Sequence, residues 1–353
     1  MNAVKKVSVL VIVVMMMSVS LNVFVGAARA DDKLRVVLYL NGTLGDKSFF
    51  DSAARGVTMA VDELGIMGKV IEGGYDSSRW EPDLAQLSEG GWDIIIAGTW
   101  QLTEFVEKYA RMHPDTAFFT YDTTVDYSAG DLGNVYSILY SQNEGSFLVG
   151  ALAAMITTSD LPAANPEKII GFLGGMDIPV INDFKVGYTE GAHYIDPDVK
   201  VLTSYIDSFS DSAKGKELGL ALYDQGVDIG FNVAGQAGLG LLDAAKNKER
   251  YVLGVDSDQY LLFAESDPEK AAWVVTSMLK NVDLSIFRGI KMFKEGTLAN
   301  GQAEVLGVAD NGVGVAQNEN FAKLVPEEYR AKIKEIEEKI LNGEITVGTA
   351  FGE

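Results

Sequence analysis

Short apolar runs alternate with helix-period segments along almost the whole chain. The runs at residues 34–40, 92–98 and 117–122 are rich in Val, Ile, Leu and Phe, which is typical of strands buried on both faces of a sheet. Four later runs of the same character read KIIGFLGG, VKVLTSYI, VDIGFNVAG and ERYVLGVDSD. Helical segments lie between them, the first beginning near Ser48. The pattern predicts an α/β fold whose parallel sheets carry helices on both faces.

These strand–helix units are too many for one sheet with a simple core, and 353 residues suit two domains. We expect two lobes, each built on a parallel sheet, with a ligand cleft between them. The first break falls near Gln142, where the strand in YSILYSQNEGSF runs directly into a new helix.

Ligands of open parallel sheets bind beyond the carboxyl ends of the strands. In this chain those ends are predicted at residues 41–50, 98–100, 121–123, 174–177, 234–235 and 256–258. Aromatic rings, carboxylates and glycines recur there, beginning with Asp46 and Phe49 and continuing with Trp100 and Asp122. If the lobes face each other, all six ends line one shared cleft.

The first thirty residues have the composition of an export signal. Lys5 and Lys6 precede an apolar run at residues 7–25, and Ala28-Arg29-Ala30 then forms an A-x-A cleavage pattern. We expect cleavage after Ala30. An uncleaved membrane anchor is the alternative, because the run is long enough to span a bilayer.

The chain is strongly acidic and contains no cysteine. Its formal net charge is -21, and removal of Lys5, Lys6 and Arg29 leaves 26 basic against 50 acidic residues, a charge of -24. Such a surface repels nucleic acid and anionic lipid. Without cysteine there is no site for acylation at a new N-terminus. We therefore expect an exported protein, periplasmic or at the cell surface, without a lipid anchor.

The residue types do not favour an enzyme, a metal site or a cofactor. With only His113 and His193 and no cysteine, zinc chemistry lacks its usual ligands. The chain has no G-x-S-x-G and no P-loop. Asp256 and Asp258 lack the surrounding pattern of a calcium loop. The segment AGQAGLG at residues 234–240 differs in spacing from the dinucleotide fingerprint and predicts a helix start where a polar ligand can approach backbone N–H groups.

Rings and carboxylates without a nucleophile indicate a binding site. Aromatic faces stack on flat groups, and a carboxylate accepts hydrogen bonds from adjacent hydroxyls or ring N–H groups. A neutral ligand with a flat heterocycle and a diol fits both, and a nucleoside has this chemistry. A sugar also fits, because pyranose faces stack on Trp and Phe.

Several stretches resemble the basic membrane protein family of solute-binding proteins, which includes the purine nucleoside receptor of bacterial ABC importers. They are GDKSFFDSA, SFLVGALAAMIT, GFLGGMDIPVINDFKVGYTEGAHYIDP, SDSAKGKELGLALYDQGVDIGFNVAGQAGLGLLDAA, YVLGVDSDQ and VVTSMLKNVD. These stretches cover most of residues 46–283, and GGMDIPVI and GVDSDQ are the most specific. The resemblance implies a two-lobed type I periplasmic-binding fold with three hinge strands. It also implies capture of a nucleoside and its delivery to a membrane permease, without chemistry on the ligand.

The resemblance further implies which residues bind the ligand. Phe49 is similar to the ring that stacks on the base, and Phe231 to the opposing ring. Asp122 is similar to the acid that meets the base edge. Asp256 is similar to the acid that binds the ribose hydroxyls, and Asp46 matches the first acid of the family's motif.

Two further contacts and some departures complete the implied site. Gly235 resembles a backbone contact, and Lys280 a polar contact. Phe50 stands where the family usually has a small polar residue, often Asn. Trp80 and Trp100 also lie at predicted strand-end loops. These rings can change the shape of the base pocket, so they bear on the preference for purines more than on the fold.

The predicted boundaries are residues 1–30 for the signal, 31–140 for lobe 1, 141–271 for lobe 2, 272–308 for a return to lobe 1, and 309–353 for a hinge crossing and a final helix on lobe 2. We expect a monomer that binds a nucleoside and a membrane permease. Two alternatives remain open, namely the same fold with a sugar or another small polar ligand, and a sensor whose closed form contacts a receptor.

Overall fold

The computed structural model describes residues 33–352, so the predicted signal segment lies outside the described residues. The strands of sheet 1 are β1 (Arg35–Leu40), β2 (Met67–Glu72), β3 (Ile94–Ala97), β4 (Ala117–Tyr121), β5 (Val135–Tyr140) and β11 (Gln302–Leu306). Their order across the sheet is β11-β5-β4-β3-β1-β2, and every pair is parallel.

Sheet 2 repeats this arrangement. Its strands are β6 (Ile169–Gly174), β7 (Lys200–Tyr205), β8 (Ile229–Val233), β9 (Tyr251–Asp256), β10 (Val274–Lys280) and β12 (Val313–Val315). Their order is β12-β10-β9-β8-β6-β7, and all pairs are parallel except the antiparallel β10–β12 pair at the edge. The predicted α/β fold with one parallel sheet in each lobe is confirmed.

Helices cover both faces of both sheets. They are α1 (Phe49–Leu64), α2 (Trp80–Ser88), α3 (Thr103–Met112), α4 (Gln142–Thr157), α5 (Pro179–Ile195), α6 (Ser212–Asp224), α7 (Gly235–Lys248), α8 (Gln259–Ala264), α9 (Pro268–Ala271), α10 (Val282–Glu295), α11 (Glu319–Leu324) and α12 (Glu327–Leu341). On sheet 1, α1 packs with α10 and α2 with α3, while on sheet 2 α4 packs with α5 and α6 with α7. Among residues 33–352, no helix has the length and apolar character needed to cross a membrane.

The strands read as continuous apolar runs because both of their faces are buried. In β1, Val36, Leu38 and Leu40 pack into the core beneath α1 and α10, while Val37 and Tyr39 pack on the opposite face beneath α2 and α3. Successive side chains of a strand point to opposite faces, so a strand covered on both sides needs no polar alternation.

Glycine lets α4 and α5 approach very closely, and this contact sets the wall of the cleft in lobe 2. A Cβ at Gly187 on α5 would lie 2.0 Å from the carbonyl oxygen of Asn143 on α4. A larger residue at position 187 would therefore push the two helices apart.

The chain passes between the sheets three times. It leaves sheet 1 after Tyr140, returns after Lys280, and crosses again between β11 and β12. The predicted return to lobe 1 begins at residue 272, but β10 pairs in parallel with β9 and belongs to sheet 2. The boundary therefore moves to residue 281, because an apolar run does not reveal which sheet its strand joins.

The two sheets place equivalent residues at the cleft. Asp122 follows β4 and Asp256 ends β9, which are corresponding strands, and both residues have φ of 61°. Left-handed backbone is uncommon for residues other than glycine, although Asp tolerates it better than most. On the neighbouring strands, Tyr140 and Lys280 end β5 and β10, which also correspond in the two sheets.

Candidate ligand-binding site

A cavity of about 250 Å³ lies at the carboxyl ends of the strands, between the two sheets. It is lined by Asn41, Asp46, Phe49, Phe50, Tyr75, Trp80, Thr99, Trp100, Gln101, Asp122, Met176, Ile178, Val180, Ile181, Phe184, Ser208, Phe209, Ser210, Val233, Ala234, Gly235, Gln236, Val255, Asp256 and Lys280. Seven of the eight ligand-binding residues proposed from the sequence are in this lining. The exception is Phe231.

Lys280 and Asp122 form a buried ion pair on the floor of the cavity. Lys280 extends from β10 of sheet 2 and donates to Asp122 at the end of β4 in sheet 1. Its ammonium also lies 5.6, 5.1 and 5.2 Å from the ring centres of Phe49, Tyr140 and Phe184. A cation within about 6 Å of an aromatic face is attracted by the ring quadrupole. Lys280 thus fastens the two lobes together at the base of the cleft.

Asp256 is the second carboxylate of the floor, and it comes from lobe 2. It accepts a hydrogen bond from the hydroxyl of Ser48 in lobe 1. Burial raises the pKa of Asp256 to about 7, although Lys280 and the Ser48 hydroxyl act in the opposite direction. Burial likewise raises the pKa of Asp122, with Lys280 opposing it. Both carboxylates are therefore poised to gain from a ligand that donates hydrogen bonds.

Asp46 holds the start of α1 rather than presenting free oxygens to a ligand. Its carboxylate is 1% exposed and accepts from the backbone N–H groups of Ser48, Phe50 and Asp51 at 3.0, 2.8 and 3.0 Å. These are groups that a helix start otherwise leaves without partners. Burial raises the pKa of Asp46, and the three N–H groups lower it, with a net upward shift.

Phe49 is the first residue of α1 and faces the cavity. Its ring centre lies 5.4 Å from that of Phe50 in an edge-on arrangement and 5.3 Å from that of Tyr121. Asp46 fixes the backbone beside it, so the ring is held rather than free to turn. Phe50 is only 8% exposed and supports Phe49 while also lining the cavity.

Phe231 does not reach the cavity, which corrects the expectation that it is the opposing ring. It is fully buried in the middle of β8, with its ring centre 5.1 Å from Tyr188 and 6.0 Å from Phe172. Phe184 of α5 and Phe209 in the loop after β7 line the cavity on the lobe 2 side instead. Phe184 lies within GGMDIPVINDF, a stretch that the sequence analysis quotes without singling out this ring.

Gly235 opens α7 beneath the cavity. Its φ is 53°, and no atom outside its chain neighbours lies closer than 3.8 Å to where a Cβ would be. The left-handed backbone there costs glycine little. The N–H groups at the start of α7 are thereby brought to the cavity wall, as the sequence spacing suggests.

Comparison with known proteins gives the family. Residues 33–350 match the model of the ABC transporter substrate-binding protein PnrA-like family. The chain belongs to this family. It is 30% identical over 318 residues to basic membrane protein A of Borreliella burgdorferi, covering 89% of this chain and 87% of that protein.

Solved structures agree with this membership. An ABC transporter solute-binding protein from Aeropyrum pernix is 26% identical with a TM-score of 0.77, covering 89% of this chain and 92% of that one. A periplasmic solute-binding protein from Actinobacillus succinogenes with bound D-allose is 13% identical with a TM-score of 0.63, covering 82% of this chain and 100% of that one. The second likeness concerns the fold alone. The protein is thus a solute-binding protein of the ABC transporter type.

The two tryptophans in the cavity lining of this PnrA-like protein have different surroundings. Trp80 is buried and donates from its indole N–H to the carbonyl of Gly74 at 2.9 Å. Trp100 is 52% exposed and lies at the mouth of the cavity. Only Trp100 therefore offers an open ring face to an approaching ligand.

Asn41 and Gln101 form a polar pair in the wall that the sequence analysis does not identify. Asn41 is 3% exposed and donates to the hydroxyl of Thr99 at 2.9 Å and to the side-chain oxygen of Gln101 at 3.0 Å. Both residues line the cavity, and the side-chain oxygen of Gln101 is occupied by Asn41. The signal available in the sequence is only their placement just after β1 and β3.

Neither histidine lies in the cavity lining. His193 on α5 faces the carbonyl of Val199 at 3.1 Å, and His113 lies 3.7 Å from Glu89. Over residues 33–352, no group of three or more His, Cys, Asp or Glu is arranged to hold a metal ion.

Proposed function

We propose that the protein binds a nucleoside, with purine nucleosides preferred, and delivers it to an ABC permease. The observation that carries the proposal is that Phe49, a ring of lobe 1, and Asp256, a carboxylate of lobe 2, line the same cavity. A base stacked on a ring and a ribose diol bound to a carboxylate need both groups. Phe184 and Phe209 supply apolar surface opposite Phe49.

The charge of the lining favours a nucleoside over a nucleotide. The charged residues of the lining are Asp46, Asp122, Asp256 and Lys280, and Lys280 is already paired with Asp122. A phosphate group would meet net negative charge in a site shielded from water, where repulsion is strong. We expect inosine to bind and inosine monophosphate not to bind.

Delivery to a permease would use a change in the angle between the lobes. The three chain crossings form a hinge of the kind that closes around a ligand. Tyr75 of lobe 1 approaches Gln236 of lobe 2 at 3.4 Å across the cleft. Contacts of this kind give the closed protein, acting as a monomer, a surface that the permease can distinguish from the open form.

Asp256→Ala tests the ribose assignment. The change should lower the affinity for inosine and guanosine at least tenfold and alter the affinity for hypoxanthine and guanine by no more than about twofold, because only the nucleosides carry the diol. Isothermal titration calorimetry measures the affinity for each ligand. Equal losses for nucleosides and free bases would refute the role given to Asp256.

A sugar is the second candidate ligand, and two observations favour it. Trp100 exposes a ring face at the cavity mouth, and a neighbour of the same fold holds D-allose. Displacement of bound inosine by D-allose or D-ribose would support this candidate. Failure of both sugars to compete at millimolar concentration would remove it.

A further inference from the structure

The segment that follows α12 is tied to the helix that forms the lobe 2 wall of the cavity. We call residues 347–350 the α5 strap. Thr349 donates from its hydroxyl to Asp183 on α5 at 2.6 Å, and the N–H of Ala350 donates to the same carboxylate oxygen at 2.9 Å. The N–H of Gly348 donates to Glu190, about two turns further along α5, at 2.8 Å.

Asp183 connects the strap to the first hinge crossing. Its second oxygen accepts from the side-chain amide of Gln142, the first residue of α4, at 2.6 Å. Asn143, the next residue, donates to the strap carbonyl of Gly348 at 3.0 Å. One carboxylate thus joins the strap, the segment where the chain enters lobe 2, and α5.

Asp183 is also adjacent to the charged floor of the ligand cavity. Its neighbour Phe184 lines the cavity and lies 5.2 Å from the ammonium of Lys280. Asp183 is 2% exposed and has no ion-pair partner within residues 33–352, so the three donors described above are what compensate its burial. A buried carboxylate that loses a donor is destabilised, and the helix that carries it is held less firmly.

We propose that Thr349 and Asp183 are positioning residues of the ligand site. The strap binds the Asp183 carboxylate and thereby holds the start of α5, so that Phe184 stays against the cavity and beside Lys280. Without the Thr349 hydroxyl, Asp183 loses one of its three donors, and the start of α5 loosens. The affinity part of this proposal rests on the proposed nucleoside binding, whereas the effect on α5 does not.

The test compares Thr349→Val with two matched controls. Thr349→Ser keeps the hydroxyl, and Phe351→Ser removes a neighbouring side chain that is 45% exposed. Inosine affinity, measured by calorimetry, should fall about tenfold in Thr349→Val, or about 1.4 kcal/mol. It should stay within about twofold in both controls.

A double-mutant cycle shows whether Thr349 acts through Asp183. In the Asp183→Asn background the buried carboxylate that Thr349 serves is already gone, so adding Thr349→Val should change inosine affinity less than twofold. A full tenfold loss in that background would overturn the proposed coupling. A thermal shift in Thr349→Val with unchanged affinity would reduce the strap to a structural element.

Hydrogen exchange of the ligand-free protein separates this proposal from the proposed function. Amides of residues 178–195 should exchange faster in Thr349→Val and at the wild-type rate in Thr349→Ser. If wild-type protein fails to bind inosine, the nucleoside assignment fails, and faster exchange would still support the strap. Unchanged exchange over α5 would overturn it in either case.

Discussion

Lys280 of lobe 2 donates to Asp122 of lobe 1 across the base of the ligand cleft, where the Lys280 side chain is 2% exposed and the Asp122 side chain 14%. Asp122 and Asp256 occupy equivalent places in the two sheets, so the fold repeats an aspartate at the same strand end. Lys280 ends β10 of sheet 2 at the place where Tyr140 ends β5 of sheet 1, and its ammonium lies over the Tyr140 ring. One cation thus faces an aspartate from each lobe.

Removing Lys280 should destabilise the protein strongly. Lys280→Met leaves the Asp122 carboxylate buried without its partner, which costs about 3 kcal/mol. Urea unfolding measures the loss. The double variant Lys280→Met/Asp122→Asn should recover most of it, because Asp122 then carries no charge that needs Lys280, and failure to recover would contradict the pairing. Lys108→Met, at an exposed pair with Glu81, is the control and should cause no measurable change.

Asp256 should make the stability of the ligand-free protein fall as pH rises from about 4 to 7. Its pKa of about 7 in the folded protein exceeds the ordinary value near 3.9, so the folded state holds the proton more tightly. Stability is therefore greatest below the unfolded pKa and is lost as pH rises through the folded pKa, by about 1.4 kcal/mol per pH unit.

The contribution of Asp256 is isolated by comparison with Asp256→Asn. Chemical unfolding of both proteins at several pH values gives the difference in slope. The variant should be relatively more stable above pH 7 than the wild type. Identical slopes from pH 4 to 7 would contradict the assignment of a raised pKa to Asp256.

Substitution of Phe49 should affect ligand binding, whereas substitution of Phe231 should affect stability. Phe49→Ala should reduce the free energy of inosine binding by about 1–3 kcal/mol, the usual contribution of one stacked base. Phe231→Ala creates a core cavity and should lower the free energy of unfolding by about 3–5 kcal/mol. Calorimetry measures the inosine affinity of both variants, and urea unfolding measures their stability. The reverse pattern would restore Phe231 as a ligand ring and remove Phe49.

Much of the cleft is predictable from the sequence, because apolar runs locate the strands and the rule for parallel sheets locates the ligand. Asp122 and Asp256 follow from this reasoning. The buried position of Phe231 does not follow from it. All five residues of β8 are buried, and an apolar run does not show which of its side chains faces the cavity and which packs in the core. Phe184 escapes notice because it lies on a helix whose approach depends on α4 packing against Gly187.

Asp46→Ala should affect binding through the backbone of α1. Loss of the carboxylate leaves the N–H groups of Phe50 and Asp51 without their acceptor, which costs about 1 kcal/mol or somewhat more. The ring of Phe49 then loses its fixed orientation, and inosine affinity should fall. Asp62→Asn, an exposed carboxylate on the same helix, is the control. Unfolding and calorimetry should show no effect there; an equal effect would contradict the capping role of Asp46.

The most direct test of the account is a calorimetric and thermal-shift screen of residues 31–353 against purine nucleosides, free bases, D-ribose, D-allose and inosine monophosphate. A ligand at a hundred times its Kd stabilises the folded state by about 2.7 kcal/mol, which gives a clear shift. We predict one bound inosine or guanosine per chain, with weaker or no binding of ribose, free base and the monophosphate. Binding of a sugar in place of nucleosides would contradict the nucleoside assignment and leave the fold and family unchanged.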